Sequence, residues 1–363
     1  MSTTAFYLRK RCRRALLLLS MTIALSPMLS AQSPNGKGRV LPIRVTADPA
    51  HHVVTITADG APFTSFLYPD TLEKPVLYPI YAPDGQLITR GFPLAPRAGD
   101  PADHPHHIGL WFDYENVNGL DFWNNSFAIP AEKKHLYGWI HTNKIEKTIS
   151  GPKGAFEYTA DWTDQQHHIL LQETTIFFFS ADKEERIIDR TTTLHAVTDA
   201  SFTDAKDGLL GLRVTKELQI PSNAPGQFVD DKGNVTKVAA GNTPDINGNY
   251  LTSEGKTGDS AWGTRGAWCL LYGKKDKDIL SVAIIDYPKN PGYPTYWHAR
   301  GYGLFAANPL GQKIFSNGKE TMNFSLRKGE SVTFRYRIVI AAGTDRLSTA
   351  RIGQLADAFA RLK

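Results

Sequence analysis

Cysteine is almost missing from this chain. Two of its 363 residues are Cys, at Cys12 and Cys269, which excludes a disulfide framework and a cysteine-rich metal knuckle. Long apolar runs are also missing. The one apolar stretch, Ala15–Leu25, falls well short of the roughly 20 residues that span a bilayer. There is no G-x-S-x-G, Walker loop, H-E-x-x-H or dinucleotide fingerprint, which disfavours hydride transfer and nucleotide chemistry. No 20–50-residue repeat is visible, which argues against a propeller or solenoid.

Basic excess is missing too, once its source is located. The formal charge is +5, and Arg9, Lys10, Arg11, Arg13 and Arg14 account for all of it. The remainder is neutral, and nothing in it argues for nucleic acid or an anionic membrane as partner. These five cations precede the apolar run, and Ser30–Ala31 follows as a small-residue stop. The pattern reads as a secretory signal peptide over residues 1–31, then a polar linker over 32–38, then a single domain over 39–363. The expected location is periplasmic or extracellular, and one cysteine then remains, Cys269.

What is present is β-pattern. His52–Ala58, Phe156–Trp162, His168–Phe178, Arg186–Val197, Leu209–Leu218, Leu280–Ile285 and Ser331–Ala341 read as strands. Turn pairs such as Asp59-Gly60, Asp84-Gly85, Asn317-Gly318 and Lys328-Gly329 separate them. Only Leu347–Leu362 carries a helical stripe. Phe228–Gly263 is poor in apolar residues and reads as a long excursion holding a short hairpin. The fold class is all-β: a large, mostly antiparallel β-sandwich with one C-terminal helix.

Two segments carry chemistry. Asp103–Trp123 (DHPHHIGLWFDYENVNGLDFW) clusters His104, His106 and His107 around Pro105. An extended backbone there sends His104 and His106 to one face and His107 to the other. Tyr293–Gly311 (YPTYWHARGYGLFAANPLG) places His298, Arg300 and Tyr302 on one side of a strand and Trp297 on the other. The two segments read as halves of one site. The histidines support three readings: proton transfer near neutral pH, a divalent metal shared by His104, His106 and His298 or Asp113, or buried structural imidazoles.

These segments resemble a bacterial family labelled "PmoA" or "methane oxygenase PmoA". The matching pieces are Gly99–Trp123, Gly208–Leu218 (GLLGLRVTKEL), Asp259–Gly273 (DSAWGTRGAWCLLYG) and Asp286–Gly311. The family often has a basic residue where this chain has Ile108. The resemblance implies the β-sandwich of galactose mutarotase-like proteins, with a carbohydrate cleft lined by His, Arg, Glu and aromatics. Methane oxidation is not carried across, because no membrane-spanning run follows the leader.

The site expected from residues and resemblance has His104, His106, His107 and His298 handling protons and Tyr302 as an auxiliary acid. Arg300 and Arg213 anchor the substrate, with Trp111, Trp262, Trp297 and Asp113 completing the binding surface. The expected function is a carbohydrate-active enzyme using histidine acid–base chemistry on a sugar or sugar derivative. A non-catalytic carbohydrate-binding protein and a metal-dependent oxygenase or hydrolase are the alternatives. No cofactor is required by the sequence, a divalent metal is left open, and the oligomeric state is undetermined. Exported protein should begin near Gln32, with no sensitivity to reducing agents. Peptide mapping that recovers Met1–Ala31 from exported material would overturn that reading.

Overall fold

Alternation of apolar and polar side chains builds this molecule. The computed structural model describes residues 39–238 and 245–362. The expected signal peptide and linker, Met1–Gly38, lie outside the described residues. In chain order the first strands are β1 (Ile43–Asp48), β2 (Val53–Ala58), β3 (Ala61–Leu67), β4 (Val76–Ile80) and β5 (Leu110–Tyr114). Next come β6 (Trp139–Ile149), β7 (Gly154–Thr163), β8 (Ile169–Ala181), β9 (Glu185–Ala196) and β10 (Ala200–Phe202). Then follow β11 (Gly208–Arg213), β12 (Gly226–Val229), β13 (Val235–Val238), β14 (Asn249–Thr252) and β15 (Trp268–Lys275). The last are β16 (Asp278–Asp286), β17 (Tyr296–Arg300), β18 (Leu304–Asn308), β19 (Phe324–Leu326) and β20 (Ser331–Gly343). A one-turn helix, α1 (Gln312–Phe315), follows β18, and α2 (Thr349–Ala360) closes the chain.

Two eight-stranded sheets result, ordered β1-β2-β3-β4-β5-β11-β18-β17 and β14-β15-β16-β20-β9-β8-β7-β6. Their strand pairs are antiparallel. The fold is therefore an all-β antiparallel sandwich with a C-terminal helix. Phe66 of the first sheet meets Tyr158 and Phe156 of the second at ring separations of 4.6 and 5.1 Å. The core also encloses a polar knot. Glu173 accepts from Tyr158 Oη at 2.6 Å, Trp162 Nε1 at 2.9 Å and Arg190 Nη2 at 2.7 Å, so its buried carboxylate is satisfied.

Each sheet has a second face. On β20, Phe334, Tyr336, Ile338 and Ile340 enter the inter-sheet core. Val339 points the other way, under Ile352, Leu355 and Phe359 of α2. Arg337 pins that helix: its fork grips Asp189 at 2.7 and 2.8 Å and Nη1 donates to Leu355 O at 3.1 Å. On β5, Leu110, Phe112 and Tyr114 enter the core, whereas Trp111 joins Trp123, Leu304 and Ala306 on the outer face. That outer face of the first sheet is the floor of the candidate site.

Three expectations need correction. The strand expected over Leu209–Leu218 stops at Arg213, and a short 3-10 turn covers Lys216–Leu218. Glu217 therefore leaves the face of Arg213, accepts from Thr215 Oγ1 and approaches Lys275 Nζ at 3.6 Å. The excursion expected over Phe228–Gly263 is interrupted by β14, which pairs with β15 on the edge of the second sheet. The histidine run is not extended. Among the described residues no helix is long and apolar enough to cross a membrane.

Candidate functional site

The loop between β4 and β5 folds around one side chain. Arg90 has no exposed side-chain surface, and a buried guanidinium is costly unless most of its donors are met; here both terminal nitrogens are, and Nε is not. Its Nη1 donates to Pro101 O at 3.0 Å and Asp103 O at 2.6 Å, and its Nη2 to His104 O at 2.9 Å and His107 O at 2.8 Å. Four carbonyls drawn to one cation force the chain to turn back on itself. The turn closes through His107 N donating to His104 O at 3.0 Å. His104 adopts φ +45°, a left-handed conformation that costs a non-glycine residue about 1–3 kcal/mol. The restriction that Pro105 places on its predecessor favours an extended His104, and the hydrogen bonds of Arg90 override it.

The turn gathers all three imidazoles instead of splitting them between faces. His104 stacks on His107 at 4.9 Å and on Tyr302 at 4.8 Å, with planes within 5–6° of parallel. His107 stacks in turn on Trp111 at 5.3 Å. Tyr302, His104, His107 and Trp111 thus form one offset ladder of near-parallel rings, in which Tyr302 also lies 6.3 Å from His107. His106 stands edge-on to it, 4.3 Å from His107 and 5.6 Å from His104. The two expected halves of the site meet where Tyr302 covers His104.

Asp103 orders the ladder. Its Oδ1 accepts from Arg213 Nη2 at 2.5 Å and Arg90 Nη1 at 3.1 Å, and its Oδ2 lies 2.5 Å from His104 Nδ1. Burial opposes ionisation of this carboxyl. The His104 hydrogen bond and the charges of Arg213 and Arg90 outweigh it and hold Asp103 well below the usual carboxylate range. An ionised carboxylate only accepts, so His104 Nδ1 carries the proton. In neutral His104 the lone pair is then on Nε2.

The remaining imidazoles differ. Burial pushes His106 and His107 well below the ordinary imidazole value; Lys74 then adds to the effect on His106, and Arg213 to that on His107. His107 faces two donors, Trp123 Nε1 at 3.2 Å and Arg213 Nη1 at 3.3 Å. It is a neutral post under His104. Lys74 is buried beneath, bonded to Asp113 Oδ2 at 2.7 Å and Trp123 O at 2.8 Å. Burial raises Asp113 to about 7 despite that partner.

His298 lies on the same outer face, linked through Ala306 and Gly211 to Trp111 by strand register. Its Nδ1 is 3.3 Å from Asp207 Oδ1, without the angle of a hydrogen bond. Burial lowers His298 to about 3 and raises Asp207 to about 6, so the pair is driven toward its uncharged forms. Trp297 points into the inter-sheet core, away from this face. Arg300 is exposed, its guanidinium 5.5 Å from the Trp262 ring and 5.7 Å from that of Tyr302. Burial raises the Tyr302 phenol to about 12, against the opposing charges of Arg213 and Arg300.

Two clefts open at this spot, both touching Asp103. The larger, about 660 Å³, runs between Asp103–Pro105 and the β12–β13 hairpin, where Gln227 and Lys237 line it. The smaller, about 370 Å³, passes Tyr302, Gly301 and Asp259. The hairpin is fastened by backbone bonds, Ala102 N to Gln227 O at 2.8 Å and Val229 N to Asp100 O at 2.9 Å. Among the described residues no three His, Cys, Asp or Glu side chains converge as a metal set. His298 contacts Asp207 and His104 contacts Asp103, so the shared His104–His106–His298 site that the spacing allowed is not assembled.

Sequence reasoning missed Lys74, Arg90, Asp103 and Asp207. Asp103 had a signal, since a carboxylate directly before a histidine can fix its tautomer. Lys74 and Arg90 lie outside both histidine segments, and no pattern in the sequence joins them to the histidines.

A family profile matches residues 53–357, and the chain belongs to that family, described as a family of unknown function (DUF6807). No curated protein matches the chain. Among solved structures, it is similar to a galactose mutarotase-like protein from Clostridium acetobutylicum (11% identity, covering 83% of this chain and 98% of that one, TM-score 0.36). It is also similar to a galactose mutarotase related enzyme from Lactobacillus acidophilus (10% identity, 84% and 99% covered, TM-score 0.31). A third is a GH36 alpha-galactosidase from Geobacillus stearothermophilus (8% identity, 83% and 40% covered, TM-score 0.28). Likenesses this loose carry no argument about chemistry, and the sandwich stands on its own strand register.

Two predictions follow from the turn. Arg90→Met should cost about 3–5 kcal/mol, because it strands four carbonyls and half the charge support of Asp103. Arg90→Lys should recover only part of this, since one ammonium cannot replace the fork. Urea denaturation placing both variants within about 1 kcal/mol of the parent would refute the role. Separately, His106 and His107 should remain neutral at pH about 6.5, where a free imidazole is half-charged. Both bind protons more tightly in the unfolded chain. Their contribution to stability is therefore complete above pH about 6.5 and is lost as pH falls below it. Nitrogen-15 NMR showing these two imidazoles titrating at or above pH about 6.5 would contradict it.

Proposed function

We propose that the chain is an exported, carbohydrate-active enzyme that uses histidine acid–base chemistry on a sugar or sugar derivative held beside His104. One observation carries this reading. Asp103, kept ionised by Arg90 and Arg213, bonds His104 Nδ1 and leaves Nε2 as the proton acceptor of a ring that lines the larger cleft. An oriented imidazole with a fixed tautomer is the arrangement a general base needs.

Other side chains support it. Tyr302 holds the His104 plane by stacking, and its phenol is a proton donor throughout the neutral range. Trp262 is half-buried beside Arg300, and an indole face of this kind stacks on the C–H face of a sugar. His107 and Arg213 act through His104 and Asp103 and are positioning residues. His106 is a neutral base next to the ladder. The resemblance to the "PmoA" group and the export leader Arg9–Ala31 belong to the same reading.

Proton NMR in D2O over a panel of mono- and oligosaccharides tests it. The expected result is deuterium wash-in or product formation with at least one sugar, slowed about 100-fold or more by His104→Gln, while calorimetry shows the sugar still bound. Binding with no turnover would make the protein a carbohydrate-binding module. Full activity in His104→Gln would remove the proposed base.

A further inference from the structure

The charges around the cleft do not balance. Arg90 and Arg213, both without exposed surface, share the single carboxylate Asp103. Lys74 is paired with Asp113 alone. Arg300 and Lys237 reach solvent and have no carboxylate within 4 Å among the described residues. Besides burial, the charges acting on His106 are those of Lys74, His104, Arg213 and Arg90, and all of them disfavour its protonation. A low-dielectric pocket with surplus positive charge attracts and orients an anion.

We infer, building on the sugar reading above, that the ligand of this cleft is an acidic sugar whose carboxylate settles between the His104 turn and Arg300. Arg300 suits the task. Its guanidinium lies near the faces of Tyr302 and Trp262, which limits its motion and leaves its fork for bidentate binding of a planar carboxylate. Lys237 adds a second cation across the larger cleft. The opposing group is Asp259. It is exposed, lines the smaller cleft, and its Oδ1 lies 3.0 Å from the place a Cβ on Gly301 would take. Its charge opposes that of an acid bound beside Gly301 and Tyr302.

Titration calorimetry on the full mature chain with matched pairs, glucose against glucuronate and galactose against galacturonate, tests this. A sulfated and a phosphorylated monosaccharide make further arms. The expected result is that one uronate binds at least about tenfold more tightly than its neutral partner, a difference that shrinks as salt is raised. Arg300→Gln should remove most of that preference, with the thermal midpoint unchanged. Asp259→Asn should preserve or strengthen it. Equal affinity within a pair would overturn the acidic-ligand inference while sparing the sugar reading. Tight binding of the sulfate or phosphate ester without the uronate would overturn the carboxylate. Absence of binding by every sugar would remove both readings.

Discussion

Everything at this site depends on one buried guanidinium. The Arg90 fork collects the carbonyls of Pro101, Asp103, His104 and His107. A loop of fifteen or more residues between adjacent strands has many conformations, and ordering it carries a large entropic penalty. A cation that can be satisfied in only one arrangement of those carbonyls selects that arrangement. The left-handed backbone at His104 and the near-parallel rings of His107 and Tyr302 around it are consequences of the same choice.

The second consequence is electrical. The His104 hydrogen bond and two arginines hold Asp103 ionised, Asp103 fixes the His104 proton on Nδ1, and burial, reinforced by the cations nearby, keeps His106 and His107 uncharged. Three adjacent imidazoles thereby receive different tasks from their surroundings, although the sequence gives them equal standing. At the other end of the same face, Asp207 has no arginine and drifts toward its neutral form beside His298. Identical residue types are separated into roles by what stands within a few ångströms.

The architecture was legible because period-two alternation is local. β7, β8, β9, β16 and β20 fall within a few residues of their expected limits, and α2 lies inside the expected helix. The short strands were harder. β4 is buried at four of five positions and β5 at all five, so their sequences do not alternate in polarity. At the site, the meeting of the two histidine segments followed from their composition. The turn geometry did not, because the pre-proline rule describes an isolated dipeptide, and the residue that overrides it lies 14 positions upstream at Arg90. Trp297 was placed correctly by alternation on the face opposite His298, but that put it in the inter-sheet core, out of reach of anything in the cleft. Long-range pairing of lone charges is the information a single sequence does not display.

Gly211 sits at the base of this arrangement. A Cβ there would lie 2.4 Å from Trp111 Cζ2 and 2.8 Å from Trp123 Cη2, and those atoms belong to fully buried rings. Trp111 packs on His107 and His107 on His104, with successive rings 5.3 and 4.9 Å apart. Packed side chains transmit such displacements without absorbing them. One added carbon in the middle of a strand would be felt as a shift of the proposed base against Tyr302. The reactive geometry is therefore calibrated from below, by the smallest residue in the sheet.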